Sequence, residues 1–333
     1  MRQIPAYPLR FKEIFKQTIW GGGRLRAVFG KNIPPENKTG ESWEISDHGD
    51  DVSVVADGPL ADRWTLRKLC DEFPTEVLGT ALADGYREKF PLLLKFIDAN
   101  DDLSVQVHPP DEYARVHENG ELGKTEAWYI IEAQPGSRLI RGLKPGTTRE
   151  EFRSLLDAGT LEKCLHSFEV KGGDVIFLSA GTIHAIGKGI VLAEMQQNSD
   201  TTYRVYDWNR VGLDGRPREL NVEKALDVIN FDAPPDEGVL RVDRSERRMI
   251  TDCKYFTTEA ITLAGNSVTE SVSPERFEIL CAVEGAGMIA WSGGEMDIAA
   301  GTSLLLPAAM GDYTVSSGKR LRILRTLPGQ NPG

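Results

Sequence analysis

The sequence lacks any pair of cysteines at metal-binding or redox spacing. Cys70, Cys164, Cys253 and Cys281 show no C-x-x-C, so neither a disulfide framework nor a thiolate metal site is indicated. Buried free thiols in a reducing compartment are the expectation. No apolar run approaches the roughly 18 residues that argue for a membrane span. The opening Met1-Arg2-Gln3-Ile4-Pro5-Ala6-Tyr7-Pro8 lacks the apolar core of a signal peptide, and a cytoplasmic protein is expected. Positive charge is in deficit, with 39 Lys and Arg against 50 Asp and Glu, net −11. That balance argues against non-specific nucleic-acid binding but allows an anionic small ligand held by a local cationic cluster. Trp20-Gly21-Gly22-Gly23 has no G-x-G-x-x-G spacing and reads as a loop without a nucleotide role.

What is present is a chain of 333 residues, 40% apolar, long enough for two domains or one large elaborated one. Leu103-Ser104-Val105-Gln106-Val107-His108-Pro109-Pro110 alternates cleanly. In a strand, residues two apart share a face, so Ser104, Gln106 and His108 stand together, backed by aliphatics. Lys124–Ile131 is strand-like, with Lys124 and Glu126 on one face, and Gly173–His184 is an apolar strand leading into a turn that presents one His. Taken singly, a buried His or Glu is most often a satisfied polar group. Gln106, His108, Glu126 and His184 together, each at a strand end beside a turn, form a mixed N/O set suited to a divalent first-row ion, zinc foremost.

Along the chain, residues 9–56 look β-rich, and Gly40–Ser46 reads as a strand with Glu41 and Trp43 on one face. Helical insertions are expected at about 60–85, 147–166 and 220–230, the second from the Thr147/Thr148 and Glu150/Glu151 capping pattern, the third with Asn221 as N-cap. Phe90–Asp98 is a nearly continuous apolar strand carrying Lys95, which must snorkel or meet an anion. Gly189–Gln197 and Thr202–Trp208 read as a hairpin that brings Glu194 and Arg204 toward one cavity. Residues 231–240 read as a linker between a first domain, 1–235, and a second, 241–330. Beyond it stand only short strands, with Gly285-Ala286-Gly287 as a turn. A weak internal repeat pairs Gly173–Ala180 with Gly301–Ala308 and sets Asp312 where the first copy has His184.

Leu103-Ser-Val-Gln-Val-His-Pro, Gly123-Lys-Thr-Glu, Ala180-Gly-Thr-Ile-His-Ala and Gln197-Asn-Ser-Asp-Thr-Thr-Tyr-Arg resemble the type I mannose-6-phosphate isomerases of the short bacterial kind, in order and over most of the chain. The resemblance implies a mainly β cupin fold: a double-stranded β-helix (jelly roll) with helical insertions, and a second jelly-roll domain at the C-terminus. It implies one zinc ion per chain on Gln106, His108, Glu126 and His184, with Gln106 beside the ion in the shorter members. Arg204 matches the family's catalytic arginine, and Glu194 and Lys124 match residues of proton handling or sugar contact. Ser104, Lys95 and Trp20 stand as substrate-binding candidates, with phosphate falling to Ser104, Lys95, Lys124 or Arg204. One departure is Ser179, where the second cupin motif usually has proline.

The expected activity is interconversion of mannose 6-phosphate and fructose 6-phosphate through a cis-enediol, in a monomer or homodimer whose partner is a small sugar phosphate and neither a nucleic acid nor a membrane. Two other classes are weighed beside it. A non-catalytic sugar-phosphate-binding cupin has no need of a proton shuttle such as Glu126, Glu194 and Arg204 supply. A different metal-cupin enzyme, such as an oxygenase, usually carries H-x-H where this chain has Gln106-Val107-His108.

Overall fold

The computed structural model, described here for residues 6–234, 238–241 and 247–329, is built on an antiparallel seven-stranded sheet. Its strands run in the order Ile14–Gly22, Thr39–Ile45, Leu92–Ala99, Ile190–Gln197, Glu126–Ala133, Asp174–Leu178 and Val239–Arg241. The three central strands are mostly apolar and almost wholly buried because both faces are covered. Leu92, Leu94, Phe96, Ala127, Tyr129, Ala193 and Met195 point one way, into a core shared with Phe256, Phe277, Ile279 and Leu324 of the C-terminal part. Ile97, Trp128, Ile130, Ile190 and Leu192 point the other way, into a second core. The period of two therefore puts Lys95, Glu126 and Glu194 on this second face.

Over that face lies a five-stranded sheet in the order Tyr203–Tyr206, Val105–Val107, His184–Ile186, Arg138–Leu143 and Leu165–Glu169. Leu139 and Ile186 reach from it into the shared core, giving the two-walled cupin arrangement. The expected hairpin of 189–208 is corrected here. Ile190–Gln197 belongs to the first sheet and Tyr203–Tyr206 to the second, where it pairs with Val105–Val107. Local sequence favours a hairpin, but the Asn198–Thr202 connection carries the chain from one wall to the other. Glu194 and Arg204 thus meet across the cavity and are not cross-strand neighbours.

The insertions form short helices at Leu66–Glu72, Pro74–Leu78, Ala83–Tyr86, Arg149–Asp157 and Val222–Val228. Thr148 caps its helix by accepting from the Glu151 N–H. Asn221 makes no such side-chain bond, so the third cap is positional only. Residues Leu165–Glu169, at the end of the second expected insertion, are strand. Helices at Arg24–Phe29 and Asp111–His117 have no counterpart in the sequence reading, because they bury only Leu25 in the first and Asp111 and Ala114 in the second, too little to make an apolar stripe. Trp20-Gly21-Gly22 is the end of a strand and not a loop. A Cβ on Gly21 would meet the Gly40 nitrogen at 2.4 Å, so this glycine serves close strand approach.

The 231–240 segment, expected as a linker, is in part a strand: Val239–Arg241 pairs with Asp174–Leu178 at the edge of the first sheet. Residues 235–237, where the domain boundary was expected to begin, lie outside the described residues. The C-terminal part is a β unit of which the 14-residue Glu278–Trp291 strand is the spine. Gly285-Ala286-Gly287 lies inside that strand and does not turn the chain. Gly285, with φ +76°, sits beside the irregularity at Ala282/Glu284, and a Cβ there would lie 1.9 Å from the Arg320 carbonyl oxygen. Gly173 and Gly301 share φ 92°, and each precedes a strand, Asp174–Leu178 or Ser303–Leu306. His184 and Asp312 each open the next strand, but His184 is buried and Asp312 exposed. Among the described residues, no helix is long and apolar enough to cross a membrane.

Candidate active site

Strand register assembles the site. On the first sheet Glu194 pairs with Lys95 on one side and with Trp128 on the other, and Gln196 pairs with Glu126. On the second sheet Gln106 pairs with both His184 and Arg204. A cavity of about 340 Å³ opens between the walls and is lined by Trp20, Lys95, Ser104, Gln106, Lys124, Glu194 and Arg204 among others. Every catalytic and substrate-binding candidate from the sequence therefore faces one space. His108, Glu126 and His184 touch the wall residues Lys124 and Gln106, with ligand atoms within 4.8 Å of one another, all buried.

That trio suits a divalent cation. His108 Nδ1 lies 2.8 Å from the Thr201 carbonyl and His184 Nδ1 2.9 Å from that of Thr182. A carbonyl only accepts, so each Nδ1 carries the hydrogen and each Nε2 presents its lone pair to the cluster, as a metal-ligating histidine requires. Burial is the chief reason the imidazoles resist protonation: His184 is pushed down to about 4 and His108 falls well below its ordinary value, with the Lys124 ammonium adding to the effect. Both are neutral at pH 7, the form that binds metal. Glu126 Oε1 is buried with no hydrogen-bond partner, and costs free energy unless something positive meets it. The Lys124 ammonium already stands 3.1 Å from His108 Nε2 and contacts Glu126 Oε2, so a cation is accepted there. Two imidazoles and a carboxylate are the donor set of a catalytic zinc site with an open position. Gln106 sits at the rim, its amide nitrogen 3.3 Å from His184 Nε2.

The cations are arranged unequally. Lys95 is buried, its ammonium 3.5 Å from Glu41, 3.5 Å from Asp200 and 3.8 Å from Glu194. Burial pulls its pKa down, but the carboxylates outweigh that and raise it. Its anion is thus supplied by the protein itself. Glu194 accepts from the Trp128 indole N–H at 2.8 Å and lies 3.7 Å from Lys124. Arg204 donates Nε–H to Ser104 Oγ at 3.1 Å and is backed by the Glu219 carbonyl. Burial, then the like charge of Arg218, lowers its pKa. Two guanidiniums held near each other at a cavity wall mark a place where an anion is welcome.

Glu41, Trp128, Asp200 and Arg218 also belong to the cavity wall and were missed as site residues. Three of them carried a signal. Trp128 shares the Glu126 face, Glu41 shares the Trp43 face, and Asp200 lies in the segment leading to Arg204. Arg218 had none, since it arrives on an irregular loop, anchored by two bonds to Asp207.

Comparison with known proteins accords with this geometry. Residues 9–128 match the family described as phosphomannose isomerase type I, catalytic domain, and residues 245–328 the mannose-6-phosphate isomerase cupin domain. The chain is 40% identical over 313 residues to the probable mannose-6-phosphate isomerase GmuF of Bacillus subtilis (strain 168), covering 93% of this chain and 96% of that protein. It is likewise 40% identical over 309 residues to mannose-6-phosphate isomerase ManA of the same organism, covering 92% and 95%. The crystal structure of the mannose 6-phosphate isomerase from Bacillus subtilis superposes with a TM-score of 0.85 at 34% identity, over 95% of this chain and 99% of that one. A zinc-bound mannose 6-phosphate isomerase structure, 18% identical with TM-score 0.78 over 97% of this chain and 99% of that one, shares the fold.

Proposed function

The chain belongs to the type I phosphomannose isomerases and is an aldose–ketose isomerase, and on that premise we propose that mannose 6-phosphate and fructose 6-phosphate are interconverted in the cavity between Glu194 and Arg204. The observation that carries the residue assignment is the convergence of Lys124, Glu194 and Arg204 from separate segments of the chain on one space beside the His108–Glu126–His184 cluster.

His108, Glu126 and His184 would hold the one zinc ion per chain, and Gln106 stands at the rim of that cluster. Such an ion, when bound, supplies Lewis-acid polarisation of the sugar oxygens. The remaining work falls to the chain's own residues. The reaction moves a proton between C2 and C1 through a cis-enediol, and another between the two oxygens. Glu194, oriented by the Trp128 N–H, takes the carbon-bound proton and returns it to the neighbouring carbon. Lys124, 3.7 Å from that carboxylate, moves the oxygen-bound one. Arg204 stabilises the developing negative charge without losing its own proton. Phosphate sits at the Ser104–Arg204–Arg218 end, because Lys95 is already surrounded by three carboxylates and Arg204 is not. Lys95 then acts through Glu194 and not as a phosphate ligand, while Trp20 contributes an apolar wall for the sugar.

The test is a coupled isomerase assay of wild type, His108→Ala and Arg204→Ala, with metal content measured for each. His108→Ala is expected to lose both ion and turnover, and Arg204→Ala to keep the ion and lose at least about a hundredfold in kcat. Metal-replete wild type that converts neither sugar phosphate overturns the reading.

A further inference from the structure

A buried carboxylate outside the cavity has no part in the chemistry just described. Asp111 is 3% exposed, and its two oxygens take three hydrogen bonds. Oδ1 accepts from the Gly123 N–H at 2.9 Å and from Gln197 Nε2 at 2.9 Å; Oδ2 accepts from the Tyr255 hydroxyl at 2.7 Å. Lys254 stands 3.6 Å away on the solvent side. The Gly123 and Gln197 donors both stand next to the site. Gly123 precedes Lys124, and Gln197 in turn accepts the Thr125 N–H at 2.9 Å, between Lys124 and Glu126. Asp111 itself follows His108 by three residues, and the Pro109 carbonyl between them accepts the Lys124 N–H at 3.1 Å. The backbone is pressed together at this point, for a Cβ on Gly123 would lie 2.5 Å from the Asp111 nitrogen. The fourth participant comes from elsewhere: Tyr255 directly precedes the Phe256–Leu263 strand of the C-terminal unit.

We infer that Tyr255 of the C-terminal unit is a positioning residue for the isomerase, acting through the Asp111 carboxylate to fix where the Lys124–Glu126 segment presents its side chains. This rests on the assignment of Lys124 and Glu126 made above. Among the described residues, Asp312, which the internal repeat sets opposite His184, is exposed and belongs to no ligand cluster. The C-terminal unit nonetheless reaches the segment beside the cavity, through the Tyr255 hydroxyl on the Asp111 carboxylate. A carboxylate with three donors is held in one orientation, and without the Tyr255 hydroxyl it is held at Oδ1 alone and can turn about that oxygen. The Gly123 and Gln197 bonds then shift with it, and sub-ångström misplacement of a catalytic group costs rate more than binding.

The experiment uses the full-length, metal-replete chain. Tyr255→Phe, Asp111→Asn and the double variant are compared with wild type and with Lys124→Met for kcat, KM for mannose 6-phosphate, metal per chain and thermal midpoint. Tyr255→Phe is expected to lose about tenfold in kcat, with KM changed less than about twofold and the ion retained. The double variant is expected to be no slower than Asp111→Asn, since both act through one carboxylate. An unchanged kcat in Tyr255→Phe, with the thermal midpoint alone lowered, overturns the inference, and this variant decides it even if Asp111→Asn does not fold. Lys124→Met at wild-type kcat is a different failure, for it overturns the assignment of Lys124 in the proposed function.

Discussion

Replacing Lys95 by Met removes one ammonium from the middle of three carboxylates and leaves the volume nearly unchanged. The side chains of Lys95 and Glu194 are 3% and 4% exposed, that of Glu41 is 20% exposed, and Asp200 is half in solvent. Breaking a buried ion pair by removing one partner typically costs about 3–5 kcal/mol, because the remaining charge is left uncompensated. Asp200 is screened by water and adds little. Lys124 still faces Glu194 at 3.7 Å, so the lower end is expected, about 3 kcal/mol at pH 7.5. At about 2.1 cal/mol/K of unfolding entropy per residue, that lowers the thermal midpoint by about 4 °C. The deficit also depends on pH. In the wild type the Lys95 pKa is raised, so its stabilisation is constant through the neutral range and is lost only in strong alkali. In the variant the crowded carboxylates bind a proton more readily than in the unfolded chain, where Glu titrates at about 4.3 and Asp at about 3.9. The folded variant therefore gains stability as pH falls from 7.5 toward 5, and the deficit shrinks. Urea unfolding of both proteins at pH 7.5, 6.5 and 5.5 measures this. A deficit below about 1 kcal/mol at pH 7.5, or one that does not change with pH, refutes the claim that Lys95 neutralises a cluster of charges.

The buried imidazoles make the chelated protein acid-labile. His184 titrates near 6.5 in the unfolded chain but near 4 when folded, so the metal-free protein loses up to about 3 kcal/mol as pH drops from 7 to 4, and His184→Gln lacks that part of the slope when denaturant midpoints are compared. Gly285→Ala forces a Cβ to within 1.9 Å of the Arg320 carbonyl oxygen at φ +76°. It is expected to destabilise by at least about 2 kcal/mol in chemical unfolding while the kcat of the folded fraction stays at the wild-type value.

Much of the site was legible because a strand is a rigid ruler. The period of two put Ser104, Gln106 and His108 together, and Lys124 with Glu126, before any fold was known. The apolar run around Lys95 required it to snorkel or to meet an anion, and Glu41, Asp200 and Glu194 supply three. Errors fell where the outcome depends on a distant partner. Gly285-Ala286-Gly287 looked like a turn, yet strand Leu321–Pro328 lies so close that only glycine fits. The chain from Gly189 to Trp208 looked like a hairpin, but each half found stronger pairing in a different sheet.

The residue types, their order and their alternation were enough to assign the family and to name the side chains that face inward. Strand register is another matter. That Glu194 stands opposite both Lys95 and Trp128, that Gln106 stands between His184 and Arg204, and that Tyr255 reaches Asp111 all depend on non-local pairing. Hydrogen bonds between strands are chemically alike at every register, so the choice among registers rests on which side chains fill the space between the two sheets and the C-terminal unit, and that is decided only when the whole chain is packed.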